Sequence, residues 1–150
     1  MPEPLPEDYT YHGFRGENDV PRIVIEEPKQ GKTEHHRVLG EFPSFASPDG
    51  GLGWGYDGDG PSRAAAEVLA HALELGAVAQ SGMAFRPAPQ DKVRIRMREA
   101  FCQEVLTQLP DTWRLRRCVV LRWAHSWYLQ QAPDAMPPVL QKPISVPPTM

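Results

Sequence analysis

Cysteine is almost missing from this chain: Cys102 and Cys118 are the two thiols in 150 residues. That excludes a disulfide framework. Both fall inside apolar periodic segments, so the expectation is a reduced, cytoplasmic protein with two small buried thiols. Long apolar runs are missing too. None approaches the roughly 20 residues that span a bilayer, so no membrane association is expected. The N-terminal stretch carries Glu3, Glu7 and Asp8 and no apolar centre, so no secretory signal is expected from it. A charged fraction of 23% and a mean hydropathy of −0.46 are those of a soluble chain.

Recognisable catalytic spacing is also lacking. Ser62, Ser126 and the two cysteines have no base at motif distance, which leaves nucleophilic catalysis unsupported. The adjacent His35 and His36 point to opposite faces of a strand. Asp57 and Asp59 are two carboxylates where an oxygen-ligated cation wants about six ligands. Glu67 and His71, one helical turn apart, read as a surface pair. No metal or cofactor is expected.

Proline, by contrast, is abundant, with 17 residues. Residues 1–8 and 132–150 are proline-rich with little periodicity and read as disordered arms around a single domain, 9–131. Charge is unevenly spread. Residues 1–80 hold 6 Lys and Arg against 14 Asp and Glu, and residues 81–150 hold 10 against 5.

Four short segments read as strands: 9–16, with Tyr9 and Tyr11 alternating; 21–28, with the β-branched Ile23, Val24 and Ile25 between prolines; 35–42; and 52–56, with Leu52, Trp54 and Tyr56 alternating with glycines. Three helices follow. Gly60 is read as the N-cap of the first, with Pro61 at its first position. This helix, over 61–75, has a stripe of Ala65, Val68, Leu69, Ala72 and Leu73, and leaves Glu67, His71 and Glu74 on the polar side. Asp91 caps the second, over 92–109, in which Val93, Met97, Ala100, Phe101, Val105 and Leu109 share a face. Trp113 and Leu115 alternate after a break at 109–111. The third, over 117–130, aligns Val120, Trp123, Ala124, Trp127 and Tyr128 as core. The fold class is α+β: a small antiparallel sheet of three or four strands packed by two or three helices.

The block WGYDGDGP, residues 54–61, followed by an alanine-rich helix, resembles a family of small, uncharacterised bacterial and bacteriophage proteins built around W-G-Y-x-G-x-G-P. Tyr11, Gly13 and Arg15 match that family's Y-x-G-x-R element, and Phe101, Leu109, Pro110 and Trp113 match a later helix leading to L-P and a tryptophan. The resemblance spans about residues 9 to 130. It implies a bacterial or mobile-element setting and carries no substrate, cofactor or catalytic residue.

Three readings of function follow. In the first, the protein is a non-enzymatic interaction module binding a protein partner through the loop 54–61, with Trp54, Tyr56, Asp57, Gly58, Asp59 and Gly60 as contacts. In the second it binds nucleic acid through Lys92, Arg94, Arg96, Arg98, Arg114, Arg116, Arg117 and Arg122. In the third it is an enzyme holding a phosphorylated or nucleotide-like ligand at the Gly58–Gly60 helix start, with Arg15 as anion partner.

Overall fold

The computed structural model describes residues 9–27, 36–39, 51–85 and 90–143. Four strands form one antiparallel sheet: β1 (Thr10–Arg15), β2 (Pro21–Glu26), β3 (His36–Leu39) and β4 (Trp113–Arg116), in the order β3-β2-β1-β4. Three helices complete the α+β fold: α1 (Asp59–Ala72), α2 (Lys92–Glu104) and α3 (Arg117–Gln131). The arm expected over 1–8, the end of the tail at 144–150, and His35 lie outside the described residues.

The period of two along each strand divides its side chains between core and outer face. Tyr11 and Gly13 of β1, Ile23 and Ile25 of β2, Leu39 of β3 and Trp113 of β4 are buried beneath the helices. β1 and β2 are joined by a tight turn in which Gly16 N–H donates to Val20 O at 2.8 Å, with Asn18 in the left-handed region at φ 58°. Asparagine tolerates that conformation better than most residues.

One expected strand is corrected. Residues 52–56 form no strand. The fourth strand is Trp113–Arg116, which pairs with β1 through Gly13↔Trp113, His12↔Arg114, Tyr11↔Leu115 and Thr10↔Arg116. The alternation of Leu52, Trp54 and Tyr56 has another cause: Leu52 and Trp54 enter the core while the backbone turns toward α1.

α1 begins earlier than expected. Gly58 is its N-cap, so Pro61 stands third in the helix, still within the turn whose N–H groups need no intrahelical acceptor. It is also more deeply enclosed than an amphipathic surface helix. Ala64, Ala66 and Ala70 are buried along with the stripe of Ala65, Val68, Leu69 and Ala72, because α2 and α3 both pack on it. Alanine on three sides allows those approaches, and each fully buried Val or Leu contributes about 1.5–3 kcal/mol.

Asp91 caps α2 as expected, its Oδ1 accepting from the backbone N–H groups of Val93 and Arg94 at 2.9 and 3.1 Å. The α-helical part stops at Glu104, and residues 106–108 tighten into a 3-10 turn. α3 follows β4 without a loop, and Arg117 N–H donates to Tyr9 O at 2.7 Å.

Beyond α3, where a disordered arm is expected from residue 132, the chain forms two 3-10 turns, Pro133–Ala135 and Pro138–Gln141. Leu140 is 2% exposed and belongs to the main core. Prolines that rule out regular helix there are compatible with tight turns, so the folded unit reaches at least residue 143. Cys102 and Cys118 are free and buried. No described helix is long and apolar enough to cross a membrane.

Candidate functional site

The loop before α1 is bolted to the α2–β4 connection. Trp54 Nε1 donates to Asp111 O at 3.1 Å, Gly55 N–H donates to Leu106 O at 2.9 Å, and Gln103 Nε2 donates to Asp57 Oδ1 at 2.8 Å. The Trp54 ring meets Trp113 edge to face with centroids 5.5 Å apart. Trp54 is therefore a core residue, 3% exposed, and is not available as a surface anchor.

Tyr56 is the opposite case, at 45% exposed. Its ring folds back over the loop, and the hydroxyl rests in a notch floored by two glycines. A Cβ on Gly53 or Gly60 would stand 2.4 or 2.3 Å from that oxygen. Neither Gly58 nor Gly60 has a left-handed φ; in this loop Gly55 does, at +81°. Asp57, Gly58 and Asp59 are exposed around the tyrosine.

The helix start offers little to an anion. Pro61 has no N–H, Ser62 N–H is directed at Gly58 O at 3.3 Å, and the Asp57 and Asp59 carboxylates flank what remains. Arg15 is paired elsewhere, with its Nε 3.9 Å from both Asp19 Oδ1 and Asp111 Oδ1.

The eight basic residues of the second reading divide sharply. Arg98 Nη1 donates to Met83 O at 2.7 Å, with Nε on Glu99 at 2.9 Å and the guanidinium 4.3 Å from the Phe85 ring centre. Arg94 donates to Ser81 O at 2.9 Å. Arg117, 2% exposed, donates to Ala72 O and to Glu74 Oε2. These three hold the fold together. Arg114 lies on the outer sheet face against Glu26, Nε to Oε1 at 3.1 Å, with His12 Nδ1 3.0 Å from Glu26 Oε2. Burial pushes the Glu26 carboxyl up, but the Arg114 hydrogen bond and charge, with those of His12, outweigh it and leave the pKa below its ordinary value. Lys92, Arg96, Arg116 and Arg122 remain exposed.

The expected surface pair Glu67 and His71 is not one. His71 Nδ1 is 2.7 Å from the hydroxyl of fully buried Tyr11. Glu67 is half-buried, and burial alone pushes its carboxyl up to about 7. Ser62 Oγ donates to Glu99 Oε2 at 2.9 Å and lies 3.7 Å from Cys102 Sγ. Burial is the largest of several effects on the Cys102 thiol and raises its pKa, the reverse of what a nucleophile needs. Among the described residues no group of three or more His, Cys, Asp and Glu side chains converges.

Two depressions that the sequence reading did not anticipate flank α3. A groove of about 440 Å³ between α2 and α3 is lined by Arg96, Glu104, Trp123 and Trp127 among others. A second, of about 390 Å³, is lined by Arg122, His125, Ser126, Lys142 and Pro143. The tryptophans read as core because their spacing is helical, and both are indeed partly buried. Lys142 could not be placed beside Arg122 without knowing that the chain turns back along α3.

No family model, curated protein or solved structure matches the chain.

Proposed function

We propose that the protein is a non-enzymatic binding module that engages a basic protein partner through Tyr56, Asp57 and Asp59. One observation carries this reading: an exposed tyrosine whose hydroxyl is seated on two glycines that no larger residue could replace without displacing it. A turn that only has to enter a helix needs no such seat. A rigid aromatic ring loses little conformational entropy on binding, and flanking carboxylates favour a partner that presents lysine or arginine. Trp54 and Gly55 support the contact from beneath by fixing the loop to Asp111 and Leu106. The block that carries the family resemblance is this same loop, which favours a bacterial or phage setting.

The test is affinity capture from a bacterial lysate with immobilised wild type, Tyr56→Ala and Asp57→Asn/Asp59→Asn, all checked for folding by circular dichroism. A partner retained by wild type, lost from Tyr56→Ala and weakened in the double variant supports the reading. Identical partner sets for all three overturn it.

A further inference from the structure

The two depressions along α3 meet at Ser126, which lines both. In the smaller one, Arg122, His125 and Ser126 come from one face of α3 at i, i+3 and i+4. Lys142 arrives from the end of the Pro138–Gln141 turn. Among the described residues no carboxylate lines this pocket. Three groups that are cationic or can become so converge there with a hydroxyl. Among the described residues none of Arg122, His125 and Lys142 makes a salt bridge or a side-chain hydrogen bond. Leaving such groups unpaired beside one another costs Coulombic energy that an anionic ligand would recover.

The adjoining groove has a different chemistry. Trp123 and Trp127 stand one turn apart on α3. Trp123 is fixed by Phe101 at 4.9 Å between ring centres and by its Nε1 donating to Glu104 Oε1 at 3.0 Å. Trp127 packs against Tyr128 at 5.1 Å, and the Arg96 guanidinium lies 5.7 Å from its ring centre. Among the described residues Glu104 is the one acid of this groove, and it is already engaged by an indole N–H. An aromatic floor with a guanidinium above it suits a flat heteroaromatic group, and the basic pocket next to it suits a phosphate.

We infer that this continuous surface of α2, α3 and the closing turn binds a nucleotide, with its phosphate at Arg122, His125, Ser126 and Lys142 and its base in the Trp123–Trp127 groove. The site is separate from the Tyr56 loop and does not rest on the reading given for it. The ligand chemistry is shared by a free nucleotide and by one residue of a single strand. The same surface therefore accepts either, and the two differ in how affinity grows with strand length and falls with salt.

Intrinsic tryptophan fluorescence tests this at low and moderate salt with four probes: adenosine 5′-monophosphate, adenosine, inorganic phosphate and a short oligothymidylate. Binding of the monophosphate or the oligonucleotide should quench the groove tryptophans. Adenosine and phosphate alone should bind at least roughly tenfold more weakly, because each makes half of the contacts. Arg122→Ala/Lys142→Ala, both exposed positions, should weaken binding by a similar factor with an unchanged circular dichroism spectrum. Arg96→Gln should weaken it without altering the response to inorganic phosphate. Tighter oligonucleotide binding with a steep salt dependence identifies a strand, and tighter mononucleotide binding identifies a free ligand. Either supports the site. No binding of either phosphorylated probe at low salt overturns it, as does unchanged affinity in the folded Arg122→Ala/Lys142→Ala variant or phosphate binding as tight as the monophosphate.

Discussion

The indole of Trp113 lies against the backbone of Gly13, its cross-strand partner between β1 and β4. A Cβ on Gly13 would stand 2.2 Å from Trp113 Cε2. The same indole meets the Trp54 ring edge to face. The glycine of the Tyr11–Gly13–Arg15 element thus admits the tryptophan that carries the Trp54 loop.

Gly13→Ala should therefore destabilise the fold by about 2–3 kcal/mol through overpacking. Urea denaturation measures it. In a Trp113→Leu background the added cost of the alanine should shrink markedly, because the clashing ring is gone.

The loop glycines should separate by mechanism. Gly55→Ala should cost about 1 kcal/mol or more because φ is +81° there. Gly58→Ala should be close to neutral, since its φ is extended and its nearest non-neighbour atom would be a Tyr56 ring carbon at 3.3 Å. Gly60→Ala should be destabilising with Tyr56 present and less so in Tyr56→Ala, a coupling that a double-mutant cycle reads directly.

Glu67 should give the stability curve a downward step with rising pH. Its folded pKa of about 7 lies above the ordinary 4.5, so the folded chain holds a proton that the unfolded chain releases between those values. Stability is then highest below pH 4.5 as far as this group is concerned, falls through the window to about pH 7, and stays reduced above it. The full shift corresponds to about 3 kcal/mol, and partial solvent access brings the expected penalty to about 2 kcal/mol. Glu67→Gln should be more stable than wild type at pH 8 by that amount and equal to it near pH 4.

Arg117 closes the C-terminal end of α1 from α3. Arg117→Met should cost about 2 kcal/mol, because the buried Ala72 carbonyl loses a charged donor. Glu74→Gln should cost less than about 1 kcal/mol, since that carboxylate is 63% exposed. Thermal unfolding of the pair checks the contrast.

These relationships show where sequence reading holds and where it stops. The helices are legible because apolar spacing and the Asp91 cap are local signals. The alternation at Trp113 and Leu115 is visible as well, but four residues of it do not reveal a partner strand 100 residues earlier. The stretch at 52–56 carries the same alternation and is no strand, since its aromatics answer to Asp111, Gly53 and Gly60 instead of to a neighbouring backbone ladder. Arg98 and Arg117 look like surface charge until Met83 O and Ala72 O are found at their ends. The Arg122–Lys142 pocket needs the chain reversal after α3, for which the sequence between them offers only prolines.

The strand order has a consequence for how the protein is made. β1 pairs with its chain neighbour β2 on one edge, but its second edge is filled by β4, which follows α1 and α2 in the chain. Until residue 116 is free, β1 lacks its β4 partner and leaves an open β edge beside Tyr11, the kind of surface that seeds misassociation. Translation of roughly 90 further residues, at about 5–20 per second, sets that exposure at several seconds or more. Slowing the ribosome between β2 and β4 should lower the soluble yield without any change in the finished protein.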